Sequence, residues 1–337
     1  MRKHLIPLVA LLAATPALPQ ASANVAAGRA QPSPLAPGEI VNAAPKADWT
    51  AIAASDLLVM DLAPDTKGKP RRVVIQLMPA PFSQGWVGNI RKLAAAKFWD
   101  GTSINRVQDN YVAQWGDANA EDKAKARRLP DGLAEVPERD YAARLEAVLP
   151  ASAAHSADDN KQLKAALDDA ARAGNMPDMR DPYAGSATHL KGWPLAGDFD
   201  NYWPVHCYGM VGVGRDMPPN TGTGAELYTV IGHAPRHLDR NIALVGRVIE
   251  GIEHLSSLPR GTGALGFYET PEERTGIVSI RIGSEVSGLP AYEYLSTESA
   301  SFARYADARA NRRDAFFIRP AGGADICNIP VPVRRVK

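Results

Sequence analysis

The 337-residue chain is poor in the residues that most often announce chemistry. It has two cysteines, Cys207 and Cys327, and seven histidines. Two lone cysteines do not make a zinc site. His233 and His237 have metal-like spacing, but Pro235 between them argues against the helix that would put both rings on one face. No Ser, His and Asp stand at a recognisable triad spacing. Gly222 and Gly224 lack the strand-to-helix surroundings of a phosphate loop and read as a turn. Charge of one sign is missing too: 38 basic against 37 acidic residues leave a formal +1, and nothing points to nucleic acid.

A long hydrophobic run is also lacking. Leu5 to Leu12 is apolar, but a membrane span needs roughly 20 such residues, and Pro7, Pro16 and Pro19 interrupt the stretch. With Arg2-Lys3-His4 before it and Ala21-Ser22-Ala23 after it, the segment has the three parts of a secretory signal, with cleavage expected after Ala23. The protein is therefore expected in the periplasm or secreted, with no stable membrane insertion once the leader is gone. An oxidising compartment would let Cys207 and Cys327 pair, a bridge worth roughly 4 to 5 kcal/mol in the chain-entropy model. Two buried free thiols are the alternative that spacing leaves open.

What is present reads mainly as β-structure. At 45% hydrophobic content the chain can bury a substantial core. Residues 24–48, rich in Ala and Pro without apolar periodicity, read as a flexible lead-in. Leu57–Leu62 and Arg72–Leu77 flank the turn residues Pro64, Asp65 and Gly68 and predict a hairpin. From Phe82 to Lys97, apolar residues at three- and four-residue spacing predict an amphipathic helix.

The most informative stretch is Trp99-Asp-Gly-Thr-Ser-Ile-Asn-Arg-Val107, continuing through Tyr111-Val-Ala-Gln-Trp-Gly-Asp117. Alternation puts Val112 and Gln114 on one face of a strand, near the cationic fork of Arg106. On this segment alone the plainer reading comes first, a strand arginine paired with a carboxylate. The segment nevertheless resembles the signature strands of cyclophilin-type peptidyl-prolyl isomerases, with an Asp-Gly-Thr turn, a strand Arg, and then an aromatic, an apolar residue and a Gln before Gly-Asp. Gly209 to Arg215, Asn220-Thr-Gly222, Glu226-Leu-Tyr228, Leu238-Asp239 and Val245 to Gly251 are similar to that family's later strands and second helix.

The resemblance implies a closed antiparallel β-barrel capped by two helices, spanning 49–290, and an enzyme that turns X-Pro bonds without cofactor or metal. Arg106 would act on the twisted amide, with Gln114 holding a substrate carbonyl and Tyr111, Val112, Tyr228 and Leu238 forming the proline pocket. Several family positions have changed. Asn105 stands for a His, Glu226 for a Gln, His237 for the rim Trp that helps bind cyclosporin, Ile242 for the rim His, and Val213-Gly214 for a Met-Ala pair. A carboxylate at 226 facing Arg106 would neutralise it.

Two further expectations concern chain beyond a compact cyclophilin. Residues 118–206 read as an inserted lobe with helices over Glu138–Leu149 and Asp158–Ala173. Residues 291–337 read as an extension docked by Phe302, Tyr305, Phe316 and Phe317 and fastened by Cys327. Two functions follow: a monomeric exported isomerase of proline-containing polypeptides, or a catalytically weak peptide-binding or chaperone module of the same fold.

Overall fold

The computed structural model describes residues 34–148, 181–198 and 200–336. The expected leader and the helix expected over Asp158–Ala173 lie outside the described residues. In chain order the strands are β1 (Trp49–Ile52), β2 (Leu57–Leu62), β3 (Arg71–Leu77), β4 (Ser103–Val107), β5 (Val112–Gly116), β6 (Ala143–Arg144), β7 (Ser186–Leu190), β8 (Trp193–Gly197), β9 (Asn201–Pro204), β10 (Met210–Val213), β11 (Leu227–Val230), β12 (Leu244–Glu250), β13 (Thr275–Ile282), β14 (Tyr292–Leu295) and β15 (Val333–Arg335). Eight of them close a barrel in the order β10-β11-β5-β4-β13-β2-β3-β12, every pair antiparallel.

Period-two alternation divides these strands into two surfaces. Ala113 and Trp115 of β5, Leu227 of β11, and Met60, Ile75 and Ile280 point into the barrel and join the main apolar core. The intervening Val112, Tyr228 and Val230 form a separate cluster on the outer surface. Helix Gln84–Ala95 lies inside the predicted 82–97 span and buries Trp86, Val87, Ile90 and Leu93 in the main core. The second capping helix shrinks to the single turn Glu253–Ser256, confined between Gly251, at φ +83°, and Pro259.

The insertion differs from its expectation. Within Glu138–Leu149 only Leu145–Val148 is α-helical, because Ala143 and Arg144 pair with Tyr202 and Asn201 and Tyr141 stacks on Trp86 at 5.3 Å. Its described part is built around a four-stranded sheet ordered β6-β9-β8-β7. Thr188, Trp193, Tyr202 and Trp203 give this sheet its strand propensity.

The second half of the lead-in is also ordered. Pro37–Asn42 forms a helix whose first turn is capped by Glu39, which accepts from the Ala36 N–H at 2.7 Å. Ile40 packs with Trp49, Leu295, Phe302 and Tyr305. Six residues are too few to be helical alone, so packing supplies the stability that composition does not. Strands β1, β14 and β15 form a third sheet, and helix Ala300–Ala310 docks beside it through Phe302 and Tyr305. The exposed Phe316 and partly exposed Phe317 contribute nothing to that docking core. Cys207 and Cys327 are bridged across a separation of 120 residues.

One cation joins the three sheets. Arg247 of β12 is buried and donates to Gln76 Oε1 of β3 and to the Gly192 carbonyl, with its guanidinium over the rings of Trp193 and Tyr294. Burial draws its pKa down to about 10.

Candidate active site

Arg106 reaches the outer surface through a break in alternation. In the β4–β5 ladder Ile104 pairs with Trp115 and Arg106 with Gln114, so β4 spends two residues where β5 spends one. This bulge at Asn105 leaves Ile104 and Val107 inside the barrel and turns Arg106 onto the face of Val112 and Gln114. Asn105 is itself satisfied, donating to the Gly116 carbonyl at 3.0 Å and accepting from Ser103 Oγ at 2.6 Å.

The guanidinium is held on several sides. Nε donates to the Leu265 carbonyl at 2.7 Å, Nη1 to Gln114 Oε1 at 3.2 Å, and Nη2 to Gln108 Oε1. The rings of Tyr111 and Phe267 lie 5.6 and 5.3 Å from its central carbon. Leu265 and Phe267 arrive on a loop seated along β4 by hydrogen bonds from Gly261 N to the Val107 carbonyl and from Tyr268 N to the Asn105 carbonyl. Of five N–H donors three are committed, and two remain for a ligand.

Among the described residues no carboxylate ion-pairs with Arg106. Glu226 does not reach it directly. Gln114 stands between them, accepting from Arg106 on Oε1 and donating through Nε2 to Glu226 Oε2 at 3.0 Å. The feared neutralisation is thus replaced by an amide relay. Burial raises the Glu226 pKa, the Gln114 hydrogen bond opposes that rise, and Glu121 and Asp117 add to it.

Of the expected pocket residues, Tyr111, Val112 and Tyr228 come together with Val230 and Ile242. Gly212 makes room for this group, since a Cβ there would stand 2.3 Å from the Tyr228 hydroxyl. Gly214 lies beside Glu226 and Gln114. Leu238, partly buried, and the exposed His237 occupy the turn Arg236–Leu238, outside the apolar cluster.

Sequence reasoning missed the layer beneath the pocket. Tyr228 Oη donates to His206 Nε2 at 2.8 Å, His206 Nδ1 donates to Asp239 Oδ1 at 2.8 Å, and Asp239 Oδ2 accepts from Arg236 Nε at 2.6 Å. Arg236 also lies 2.7 Å from Asp181 of the insertion and 3.9 Å from Asp325 of the extension. Burial lowers the His206 pKa, which keeps the ring neutral and its Nε2 an acceptor, while burial drives the Tyr228 hydroxyl far above its usual value. No spacing announces this chain of contacts. Nor does any motif mark Gln108, Leu265 or Phe267, of which Leu265 acts through its backbone.

A closed eight-stranded antiparallel barrel with an arginine, a glutamine and an apolar cluster on its outer face defines a cyclophilin-like fold. The chain matches the family model for cyclophilin type peptidyl-prolyl cis-trans isomerase/CLD over residues 65–282. It therefore belongs to that family, whose members bind proline-containing peptides, and is a peptidyl-prolyl isomerase. The solved cyclophilin AquaCyp293 from Hirschia baltica superposes with a TM-score of 0.57 at 21% identity, covering 86% of this chain and 94% of its own. A cyclophilin-type isomerase from Cryptosporidium parvum, crystallised in the presence of the dipeptide Ala-Pro, gives 0.35 at 11% identity, covering 66% and 98%. No curated protein matches. Among the described residues no helix is long and apolar enough to cross a membrane, and no cluster of three ligating side chains is placed to hold a metal.

Proposed function

We propose that this isomerase works outside the cytoplasm as a monomer, on X-Pro bonds of exported or envelope polypeptides, with Arg106 as its principal catalytic residue. The observation that carries the mechanism is an anchored arginine with two uncommitted donors and, among the described residues, no carboxylate partner, beside an apolar cluster. Rotation about an X-Pro bond is slow because amide resonance sets a barrier of roughly 18–20 kcal/mol. Twisting the bond localises a lone pair on the prolyl nitrogen, and a donor directed there stabilises the twisted form over the planar one. A thousandfold acceleration needs about 4 kcal/mol of such selective stabilisation. One charge-assisted hydrogen bond contributes roughly 1.5–3 kcal/mol, and a water-poor pocket can contribute the remainder.

Each neighbour has a part in this reading. Leu265, Gln108 and Gln114 fix the guanidinium plane. Gln114 also offers its amide to a substrate carbonyl, while Tyr111, Val112, Tyr228, Val230 and Ile242 take the proline ring. In this reading Leu238 and His237, on the turn Arg236–Leu238, would contact the substrate from the side, and Gly214 and Glu226, beside Gln114, would line its approach. The leader-like Arg2 to Ala23 and the Cys207–Cys327 bridge support export, since disulfides persist in oxidising compartments.

The test is cis–trans exchange of a short Ala-Pro reporter by protein lacking residues 1–23. Arg106→Ala should lower kcat/KM about 10- to 100-fold, the equivalent of one charge-assisted hydrogen bond, with an unchanged circular dichroism spectrum. A fully active Arg106→Ala protein would remove the mechanism. A folded wild type without activity would leave the binding-module function.

A further inference from the structure

The groove carries an acidic group that the isomerisation step does not use. Glu226 opens the approach to β11, and alternation places it on the same outer face as Tyr228 and Val230. Its Oε2 accepts the Gln114 hydrogen bond, and among the described residues no lysine, arginine or histidine pairs with it. The residue is partly buried and its charged neighbours, Glu121 and Asp117, are acidic. Such a group gains by meeting a cation, because a buried or half-buried charge is costly until it is paired.

A Cβ on Gly214 would stand 3.0 Å from Glu226 Cβ, 3.1 Å from Oε2 and 3.5 Å from Gln114 Nε2, so the glycine leaves free the space through which a ligand can approach the carboxylate. Along β11, Glu226 is two residues from Tyr228, or about 6.6 Å at the rise of an extended strand. An extended substrate whose proline docks on the cluster around Tyr228 therefore brings the side chain of a residue one or two positions away to Glu226.

We propose that Glu226 is a specificity-determining residue that selects substrates carrying lysine or arginine within two positions of the isomerised proline. This rests on the outer apolar cluster being the floor of the isomerase groove. The cation would pair with the carboxylate while Gln114 keeps its bond to Arg106, so the catalytic arginine stays free as the substrate docks.

The experiment compares Ala-Pro reporters bearing Lys, Gln or Glu at the first or second position on either side of the proline, at about pH 8, well above the ordinary carboxyl range. Wild type should prefer Lys over Gln by about 3- to 10-fold in kcat/KM at one of these positions, and Glu should be the poorest there. The preference should shrink with added salt. Glu226→Gln should reduce the Lys-to-Gln ratio to about one, and Gly214→Ala, which covers the carboxylate, should lower that ratio with the charge still in place. Equal Lys and Gln rates in wild type, or a preference that survives Glu226→Gln, would overturn the assignment and leave the isomerase reading standing. If no reporter of any charge is accelerated, the isomerase reading fails with it.

Discussion

His189 should make the fold acid-sensitive by a measurable amount. Its ring sits between the insertion and the extension, with Nε2 donating to the Ile329 carbonyl at 2.9 Å and an edge contact to Phe302 at 5.0 Å. Burial lowers its pKa from 6.5 to about 4, with Arg247 adding to the fall and the Ile329 carbonyl opposing it. Above pH 6.5 the ring is neutral whether the chain is folded or not, and stability does not depend on it. As pH falls, the unfolded chain takes up a proton that the folded one refuses, and stability declines until the folded ring titrates near pH 4. At 1.36 kcal/mol per pKa unit, trimmed because the ring keeps some solvent access, the loss is about 2–3 kcal/mol. Urea unfolding of wild type and His189→Gln across this range isolates the effect. Asp100 and Glu250, whose pKa values are lowered by Arg281 and Arg335, add a slope common to both proteins. The variant should lose about 2–3 kcal/mol less than wild type between pH 6.5 and about 4. Parallel curves would refute the argument.

Two other perturbations separate further parts of the structure. Cys207→Ser with Cys327→Ser, or reduction, opens a loop of 120 residues and should lower stability by about 4–5 kcal/mol in denaturant titration, whereas an unchanged midpoint would mean that packing alone holds the extension. His206→Phe leaves the buried Tyr228 hydroxyl without its acceptor and Asp239 without one donor, which should cost about 2–5 kcal/mol and raise KM more than it lowers kcat. Tyr228→Phe, which strands only the His206 nitrogen, should cost about 1–3 kcal/mol; a cost equal to that of His206→Phe would contradict the network.

What the sequence made legible was local. The hairpin of β2 and β3, the Gln84–Ala95 helix and the β4–β5 hairpin each rest on turn residues or a period that a short window contains. Arg106 and Gln114 were found together because a hairpin makes near neighbours in sequence neighbours in space. The bulge at Asn105 was not legible, because an extra residue in a ladder shows only once the partner strand is in register. His206 and Asp239 are 33 residues apart and Arg106 and Leu265 159, and a carbonyl acceptor carries no residue signature. Helix Pro37–Asn42 reads as lead-in from sequence because its stability comes from Ile40 docking onto the far end of the chain. In the insertion, the weak helical period of Glu138–Leu149 lost to pairing with β9, a partner that no short window includes.

Closure of the barrel has a consequence for how such a protein can grow. A ladder whose first strand bonds to its last offers no vacant row of backbone donors and acceptors, so extra chain cannot be absorbed by widening the sheet. Here the additions form sheets of their own and attach through side chains, with Arg247 against Trp193 and Tyr294, Tyr141 against Trp86, and one sulfur bridge. Those attachments can be rewritten by changing a handful of residues, while the ladder that aims Arg106 stays as it is. The barrel behaves as a chassis, and its outer layers are bodywork that lineages can exchange.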